Sequence, residues 1–268
     1  MGASLCKSIK KYKITKRISG FDRDSTTLNY ALKNKIVDIA HNTLDNLDHP
    51  DLIILSTPIS AYSEITNQIS KSVSKKTIMT DIGSSKGNSY LKIIKKLSRS
   101  KIDYLSSHPM VGSEKSGIRF SKTNMFENKI VFIIDKNTVN RRTYDEINSF
   151  WLSIGANTHN INKNKHDDLM AQTSHISHLM SYIFMESLPQ SVIDNNLPLL
   201  LGGGIKEHVR LSRSDPRMWS DIFINNKKNI KKSVNVIEKN ISKIKLLIEQ
   251  SDDKNLKELL NKIQSKTT

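Results

Sequence analysis

The chain of 268 residues carries 42 Lys and Arg against 26 Asp and Glu, a formal charge of +16, and 37% of its residues are hydrophobic. Its length suits two domains or one large one, with enough residues for a buried core. No apolar run approaches the roughly 20 residues that span a bilayer, and the opening MGASLCKSIKKYK turns basic too early for a signal peptide. Cys6 is the single cysteine of the sequence, which excludes an internal disulfide and a thiolate metal cluster. We therefore expect a cytoplasmic protein with no membrane segment.

The positive charge raises the question of nucleic-acid binding, because clustered Lys and Arg neutralise phosphates. Here the lysines are spread along the chain among Ile and Asn, and the few aromatic residues are not interleaved with the basic runs. A platform for single strands requires that interleaving. We expect no nucleic-acid partner, although a positive field would also attract small polyanionic substrates and dinucleotides.

The first elements in chain order predict an incomplete dinucleotide-binding unit. Residues 4–12 predict a helix, and ITKRISGFDRD predicts a short strand ending at Asp22, whose carboxylate could accept both hydroxyls of a ribose. Gly2 lies 20 residues before Asp22, the spacing of the dinucleotide fingerprint. The opening MGASL supplies only the last fingerprint glycine, so we expect the first strand and the other glycines to be missing. For a single aspartate, a solvated turn residue is the commoner explanation.

Strands and helices then alternate up to residue 163. The predicted strands are DLIILSTP (51–58), KTIMTD, KIDYLSS running into His108, KIVFIID (129–135) and the edge strand ANTHNIN; the predicted helices are SAYSEITNQISKSV with Ser60 as N-cap, NSYLKIIKKL and TYDEINSFWLSIG. This alternation is typical of βαβ units. We predict a doubly wound α/β domain with a parallel sheet over residues 1–163.

After residue 164 the strand signal stops, and residues 164–268 predict an all-helical domain. Residues 166–188 and 217–248 have helical spacing. The expected apolar positions are Leu169, Thr173, Leu179 and Ile183 in the first stretch and Ile222, Ile230, Val236 and Ile241 in the second. The charged segment from about residue 250 is expected to fray.

Two strand ends carry candidate functional groups. In SSHPMVGSEKSGI, Pro109 cannot donate to a strand ladder, which places His108 at the carboxyl end of a strand. Open α/β sheets bind their ligands at such ends. In DIGSSKG, the hydroxyl of Ser84 could orient a neighbouring imidazole or contact a nicotinamide amide, and a turn that caps the next helix explains it equally well.

A histidine triplet, His166, His175 and His178, invites a metal interpretation. His175 and His178 share a helix face, but His166 would lie nearly opposite His175, and no H-E-x-x-H pattern is present. We favour packing or substrate contact and expect no metal.

The stretch LLGGGIKEHVRLSRSDPRMWSDIF predicts a Gly-rich loop between two helices. Arg210 and Arg213 could make bidentate contacts to a carboxylate, and Asp215 with Pro216 would start the final helix. A solvated basic face is the alternative to a substrate-binding wall.

Together, five stretches resemble the prephenate dehydrogenase family, which includes arogenate and cyclohexadienyl dehydrogenases. They are DLIILSTP, TDIGSSKG, SSHPMVGSEKSGI, HDDLMAQTSHISHLMSY and GGGIKEHVRLSRSDPRMWSDIF, they follow the family's order and they span nearly the whole chain. The combination of HPM-x-G-[ST]-E-x-S-G, SH-x-x-H and R-x-x-x-SDP-x-MW is specific. The chain departs from the family pattern at the missing first strand and glycines.

The resemblance implies an NAD-binding N-terminal domain, a helical domain that forms a homodimer, and oxidative decarboxylation of prephenate to 4-hydroxyphenylpyruvate in tyrosine biosynthesis. By similarity, His108 and Ser84 would be catalytic, with Ser84 orienting His108. The substrate-binding residues would be Arg210, His178, Ser113, Glu114, Trp219 and Gly203; the cofactor-binding residues would be Gly2, Asp22, Arg23, Thr57, Pro58 and Ser84. Asp22 favours NAD over NADP, although the adjacent Arg23 could offset this.

Three alternatives remain open at this stage. The substrate could be arogenate, or both compounds, because the pocket that distinguishes them is not readable from one sequence. The missing glycines also allow a catalytically impaired dimerisation module. A β-hydroxyacid dehydrogenase is less well supported, since no comparable catalytic-lysine motif is visible in the helical part.

Overall fold

The computed structural model describes residues 1–45, 47, 49–73, 75–112, 115–196 and 202–266. Within these residues the strands are β1 (Ser19–Phe21), β2 (Ile39–His41), β3 (Leu52–Leu55), β4 (Thr77–Asp81), β5 (Ile102–Tyr104), β6 (Ser107–Pro109), β7 (Ile130–Ile134) and β8 (Asn157–Ile161). The helices are α1 (Gly2–Lys11), α2 (Ser25–Lys33), α3 (Tyr62–Ser72), α4 (Gly87–Leu97), α5 (Arg141–Ser153), α6 (Lys163–Met170), α7 (Ile176–Glu186), α8 (Gln190–Asn196), α9 (Gly203–Ser212), α10 (Pro216–Asn225), α11 (Lys227–Glu249) and α12 (Asp253–Gln264). None of the helices described is long and apolar enough to cross a bilayer.

The strands form a mainly parallel α/β layer, as the sequence predicts. β1 pairs with β2, and β3, β4 and β5 lie side by side, all parallel. β6 pairs antiparallel with β7, which is parallel to the edge strand β8. The predicted single strand into His108 is in fact two, because the chain changes partner between Leu105, which donates to β4 at Met79, and Ser106, which accepts from Ile134.

Two apolar clusters cover the two faces of this layer. One contains α1 and α5, with Leu5, Ile9 and Trp151 buried, and the other contains α3 and α4. Ile133 and Ile134, adjacent in β7, are both fully buried and belong to different clusters. Successive strand residues point to opposite faces, so this strand is covered on both sides, as a doubly wound sheet requires.

Ser60 is not the N-cap of α3, contrary to the sequence prediction. It lies in a short 3-10 turn, Ile59–Ala61, that precedes the helix. Its backbone N–H and its hydroxyl both donate to Asp221 Oδ2, at 3.1 and 2.6 Å. The side chain is therefore used to join the α/β layer to α10 of the helical part.

The predicted helix over 166–188 is interrupted by a π-helical turn, Ala171–His175, between α6 and α7. A π turn takes more residues than an α turn and rotates every later side chain. His166 and His175, expected on opposite sides, are consequently both buried. The predicted apolar positions Leu169 and Ile183 are exposed in the single chain.

The C-terminal part contains two further corrections. Residues from 250 onward were expected to fray, but α12 forms, capped by Asp252, which accepts from the N–H of Asn255. The predicted Gly-rich loop is mostly helix α9, which begins at Gly203. Ile222 and Ile230 are buried as expected, whereas Val236 and Ile241, on the same predicted face, are each 54% exposed.

Candidate active site

A fully buried polar network lies where β4 ends. Asp81 is 1% exposed and accepts from the hydroxyls of Tyr104 and Ser106 and from Nζ of Lys86 at 2.7 Å. Lys86 also donates to the carbonyl of Ser107, the residue before His108, at 2.8 Å. Burial lowers the pKa of Lys86, and Asp81 opposes that shift. A buried charge needs such a partner. Because Lys86 bonds both to Asp81 at the end of β4 and to Ser107 in β6, it holds these two strands in a fixed relative position.

His108 lies above this network, in contact with a second histidine. Its Nδ1 is 2.9 Å from Nε2 of His166, and the two rings meet edge to face. His108 is 6% exposed and His166 is fully buried. Burial, with the nearby His166 and Lys86, holds the pKa of His108 well below its ordinary value. Burial also lowers the pKa of His166, so both imidazoles are neutral near pH 7.

Asp167 connects this histidine pair to both parts of the molecule. Its Oδ1 lies 3.1 Å from Nδ1 of His166 and accepts from the backbone N–H of Lys86 at 2.9 Å. Its Oδ2 accepts from the N–H of Gly87 at 2.9 Å, at the start of α4. Burial opposes ionisation, but the hydrogen bonds from His166 and Lys86 hold the pKa of Asp167 below its usual value. A carboxylate at a helix N-terminus is a favourable arrangement.

The cluster continues into the helical part through His175 and His178. Burial and the nearby His166 lower the pKa of His175 to about 4. His178 stacks on Trp219 with ring centres 3.7 Å apart, and its Nδ1 donates to the carbonyl of Ser174 at 2.9 Å. Burial, and to a lesser extent Arg210, lower the pKa of His178, which places Arg210 within electrostatic reach. Contacts thus run from His108 to His178 by way of His166, Asp167, Asn226, His175 and Trp219, and Arg210 lies nearby.

Arg210 projects from α9 and is half exposed. Its Nε and Nη2 both donate to Oε2 of Glu207, at 3.0 and 2.8 Å. A guanidinium of this kind can exchange one carboxylate for another. Trp219 is buried, and neither its Nε1 nor the Nε2 of His175 has a hydrogen-bond partner among the described residues. Those two orphaned polar atoms at the centre of the cluster are candidates for ligand contact.

Among the described residues no hydrogen bond joins Ser84 to His108, and the orienting role of Ser84 stays a prediction. The imidazole of His108 is hydrogen-bonded to His166. The neighbouring Ser85 accepts from Nδ2 of Asn225 at 2.8 Å. The sequence reasoning missed His166 and Asp167 as partners of His108. The available signal was their adjacency in HDD, since a carboxylate beside a histidine can fix its ring.

The expected cofactor residues lie at the start of α1 and just after strands β1, β3 and β4. A Cβ on Gly2 would lie 3.0 Å from that of Ser56, so α1 begins in close contact with the end of β3. There the hydroxyl of Thr57 is buried and has no hydrogen-bond partner within the described part of the chain, and Pro58 is exposed. Asp22 and Arg23 follow β1 and are exposed. A helix N-terminus, an orphaned hydroxyl and an exposed carboxylate fit a dinucleotide's phosphates and ribose.

Asp22 also has a local role, because its Oδ1 accepts from the N–H of Asp24, which caps α2. Gly203 is exposed at the start of α9, and a Cβ there would meet nothing within 4 Å. Ser113 and Glu114, expected near the substrate, lie outside the described residues. Over the part of the chain that the structure covers, no three His, Cys, Asp or Glu side chains are grouped to hold a metal ion.

Comparison with known proteins identifies the family to which both parts of the chain belong. Residues 5–160 match the family model of the prephenate dehydrogenase nucleotide-binding domain, and residues 162–262 match that of the prephenate dehydrogenase dimerization domain. Prephenate dehydrogenase of Bacillus subtilis (strain 168) is 26% identical over 261 residues, 96% of this chain and 70% of the relative. Cyclohexadienyl dehydrogenase of Zymomonas mobilis is 23% identical over 231 residues, 84% of this chain and 78% of the relative.

Among solved structures, prephenate dehydrogenase from A. aeolicus in complex with hydroxyphenyl propionate and NAD+ superposes with a TM-score of 0.88. It is 26% identical, and the match covers 99% of this chain and 93% of that one. The two family models together cover nearly all of the sequence. The α/β fold with its helical C-terminal part, the buried histidine cluster at their junction and these matches lead to one conclusion: the chain belongs to the prephenate dehydrogenase family and is a dehydrogenase with an N-terminal nucleotide-binding domain.

Proposed function

We propose that the protein catalyses the NAD-dependent oxidative decarboxylation of prephenate to 4-hydroxyphenylpyruvate, a step of tyrosine biosynthesis. The observation that carries the proposal is the buried His108 at the junction of the two parts, hydrogen-bonded to His166 and close to the cluster that contains His178, with Arg210 within electrostatic reach. A neutral imidazole can take a proton, and a guanidinium can hold a carboxylate. Prephenate is a dianion with a ring hydroxyl, so its oxidation needs a base for the hydroxyl proton and a cation for a carboxylate.

His108 is the base of the proposed reaction. Its low pKa keeps it unprotonated at working pH, so that it accepts the proton of the ring C4 hydroxyl as hydride leaves that carbon. Loss of the ring carboxylate as carbon dioxide leaves its bonding electrons in the ring, which becomes aromatic. The proton then returns from His108 to the phenolic oxygen. Aromatisation drives this step, so no strong acid is required.

Arg210 and His178 position the substrate. Arg210 binds a substrate carboxylate by giving up Glu207, its neighbour one helical turn away. His178 donates through Nδ1 to Ser174, which in the neutral ring leaves Nε2 as an acceptor. Trp219 supports the His178 ring by stacking. We further assign Gly203, Ser113 and Glu114 to the substrate side.

The dinucleotide, when bound, accepts the hydride. Gly2 at the start of α1, Thr57 and Pro58 after β3, and Ser84 after β4 would contact it, and Asp22 would accept from a ribose hydroxyl pair. Asp22 would also repel a 2′-phosphate, which favours NAD over NADP, while Arg23 weakens that preference. Binding assays with the two cofactors separate these cases.

We also propose that the chain acts as a homodimer through its helical part. The exposed apolar residues on α11 and α12 support this: Val236, Ile241, Leu246, Ile248, Leu260 and Ile263 are each 43–60% exposed. Monomeric proteins rarely leave so much apolar surface in one region. Light scattering on the eluting protein should give twice the 30.5 kDa chain mass.

The test of the activity is reduction of NAD on addition of prephenate, followed by absorbance of the reduced nicotinamide. His108→Asn should lower kcat by orders of magnitude with little change in KM. His159→Asn is the matched control, since His159 is exposed on β8. Near-normal turnover by His108→Asn would refute the assignment of the base.

Arogenate is the second substrate to assay, because a cyclohexadienyl dehydrogenase is among the relatives. Turnover of arogenate alone, or of both compounds, would change the substrate but not the chemistry at His108. A protein that dimerises but neither binds a dinucleotide nor turns over either substrate would instead be a dimerisation module.

A further inference from the structure

The contacts around His108 extend one step beyond the residues that touch the substrate in the proposed function. His108 Nδ1 meets His166 Nε2, and His166 Nδ1 meets Asp167 Oδ1, at 2.9 and 3.1 Å. All three side chains are buried. Both ring nitrogens of His166 are therefore engaged, one on each side.

The charge state of Asp167 determines where the protons lie along this chain of contacts. An ionised carboxylate only accepts, so Nδ1 of His166 must carry the hydrogen. In a neutral imidazole the other nitrogen then holds a lone pair, so Nε2 of His166 must accept from Nδ1–H of His108. His108 Nε2 is left without a hydrogen. That is the form of the ring that can take a proton from a hydroxyl.

We infer that His166 and Asp167 are positioning residues, which fix the tautomer of His108 so that its Nε2 is the basic nitrogen. This inference rests on the proposed function in taking His108 as the base.

The surroundings of His108 and His166 favour neutral rings, and among the neighbouring charged groups Asp167 determines which tautomer each ring adopts. The charged groups that face it are Lys86, which is already held by Asp81, and Lys163, whose Nζ is 3.4 Å from Asp167 Oδ2. The neighbouring imidazole is His175. Neither lysine can accept a hydrogen bond from an imidazole. Asp167 is thus the acceptor that sets the direction of the hydrogen bonds from His108 to His166 and from His166 to Asp167. We call this chain of two hydrogen bonds the relay.

Asp167 also receives the N–H groups of Lys86 and Gly87 from the α/β part. Its own residue belongs to α6 of the helical part. The same carboxylate therefore docks the two parts and sets the base, so the basic nitrogen is correctly placed only when the parts are joined.

A pair of variants at His166 separates a positioning role from simple packing. In His166→Gln, the amide NH2 can donate to Asp167 while its oxygen accepts from His108 Nδ1–H, so kcat should stay within about tenfold of wild type. His166→Met has similar length but no acceptor, and we expect kcat to fall about 10²–10⁴-fold, the range over which positioned acid–base groups act. KM for prephenate should change little in either variant. Equal turnover by the two variants would overturn the inference.

Asp167 is tested in combination with His166. Asp167→Ala alone should lower kcat about tenfold or more, because the carboxylate that accepts the hydrogen bond from His166 is lost. In the His166→Met background it should lower kcat little further, since residues that act as a unit are not additive. Independent, multiplicative losses would contradict the relay. Asp168→Ala, one residue along and part exposed, is the control.

The tautomers can be measured without any turnover, which separates this inference from the substrate assignment. Nitrogen chemical shifts of the imidazoles in the full-length protein, assigned with His108→Asn and His166→Gln, distinguish the two neutral forms of each ring. We expect Nδ1–H on both His108 and His166. If His108 carries its hydrogen on Nε2, the relay is wrong even if the protein oxidises prephenate. If prephenate is not a substrate but both rings are Nδ1–H, only the proposed function fails.

Discussion

Replacing Gly87 by alanine tests the tightest approach between the two parts of the molecule. A Cβ at Gly87 would lie 2.8 Å from both the carbonyl carbon and Oδ1 of Asn225, and closer still to the carbonyl oxygen. Carbon atoms prefer separations of about 3.5–4.0 Å. The start of α4 and the end of α10 must therefore move apart by on the order of 1 Å.

Such a movement breaks hydrogen bonds that cross the junction. Asn225 accepts from the N–H of Ser89 and donates to Ser85, at 3.2 and 2.8 Å, and Gly87 itself donates to Asp167. Overpacking costs about 1–3 kcal/mol, and each net hydrogen bond lost costs about 0.5–1.5 kcal/mol. We expect the free energy of unfolding to fall by about 3–5 kcal/mol, which for a chain of this size lowers Tm by on the order of 10 °C.

Urea and thermal unfolding of Gly87→Ala measure this effect, with Gly204→Ala as the control. A Cβ at Gly204 in α9 meets nothing within 4 Å, and alanine favours a helix over glycine by up to about 1 kcal/mol. The control should therefore be as stable as wild type or slightly more stable. If Gly87→Ala has the same urea midpoint and Tm as the wild type, the close approach of α4 and α10 is refuted.

Three further predictions concern stability. Lys86→Met leaves the buried Asp81 without its cation and should cost about 3–5 kcal/mol in urea unfolding; a cost below about 1 kcal/mol would mean that the ion pair is not buried. The pKa of His175 falls from 6.5 unfolded to about 4 folded, so its contribution is present above pH 6.5 and lost as pH falls toward 4. Between pH 7 and 5 this is about 2 kcal/mol, which His175→Gln should remove from the pH profile. Asp252→Ala removes the cap of α12 and should cost about 1 kcal/mol and speed amide exchange in that helix, whereas unchanged exchange would argue against the cap.

The secondary structure of the α/β part could be predicted because each element carries its own periodicity. Leu5 and Ile9 lie one helical turn apart, and the continuous apolar run of β7 requires cover on both faces. Position-specific details failed where a distant residue decided them. Ser60 looks like a helix cap locally, but Asp221, far along the chain, takes its hydrogen bonds.

The sequence predicts a candidate site in outline. His108 was identified from Pro109 at a strand end, and Arg210 and His178 from their motif. Their connection was not predicted, because His166 was placed on the wrong side of its helix. The π turn at 171–175 changes the helical phase, and no simple spacing rule anticipates it.

The sequence by itself determined the fold class, the two-part organisation and the identity of the family, since these depend on hydrophobic periodicity and on contiguous motifs. The tertiary structure alone decided which nitrogen of His108 is basic. That depends on Asp167, which is 59 residues away in sequence and reaches His108 only through the ring of His166. A proton's position in a buried network is set by the acceptors that meet in space, and those are specified by packing rather than by any local pattern.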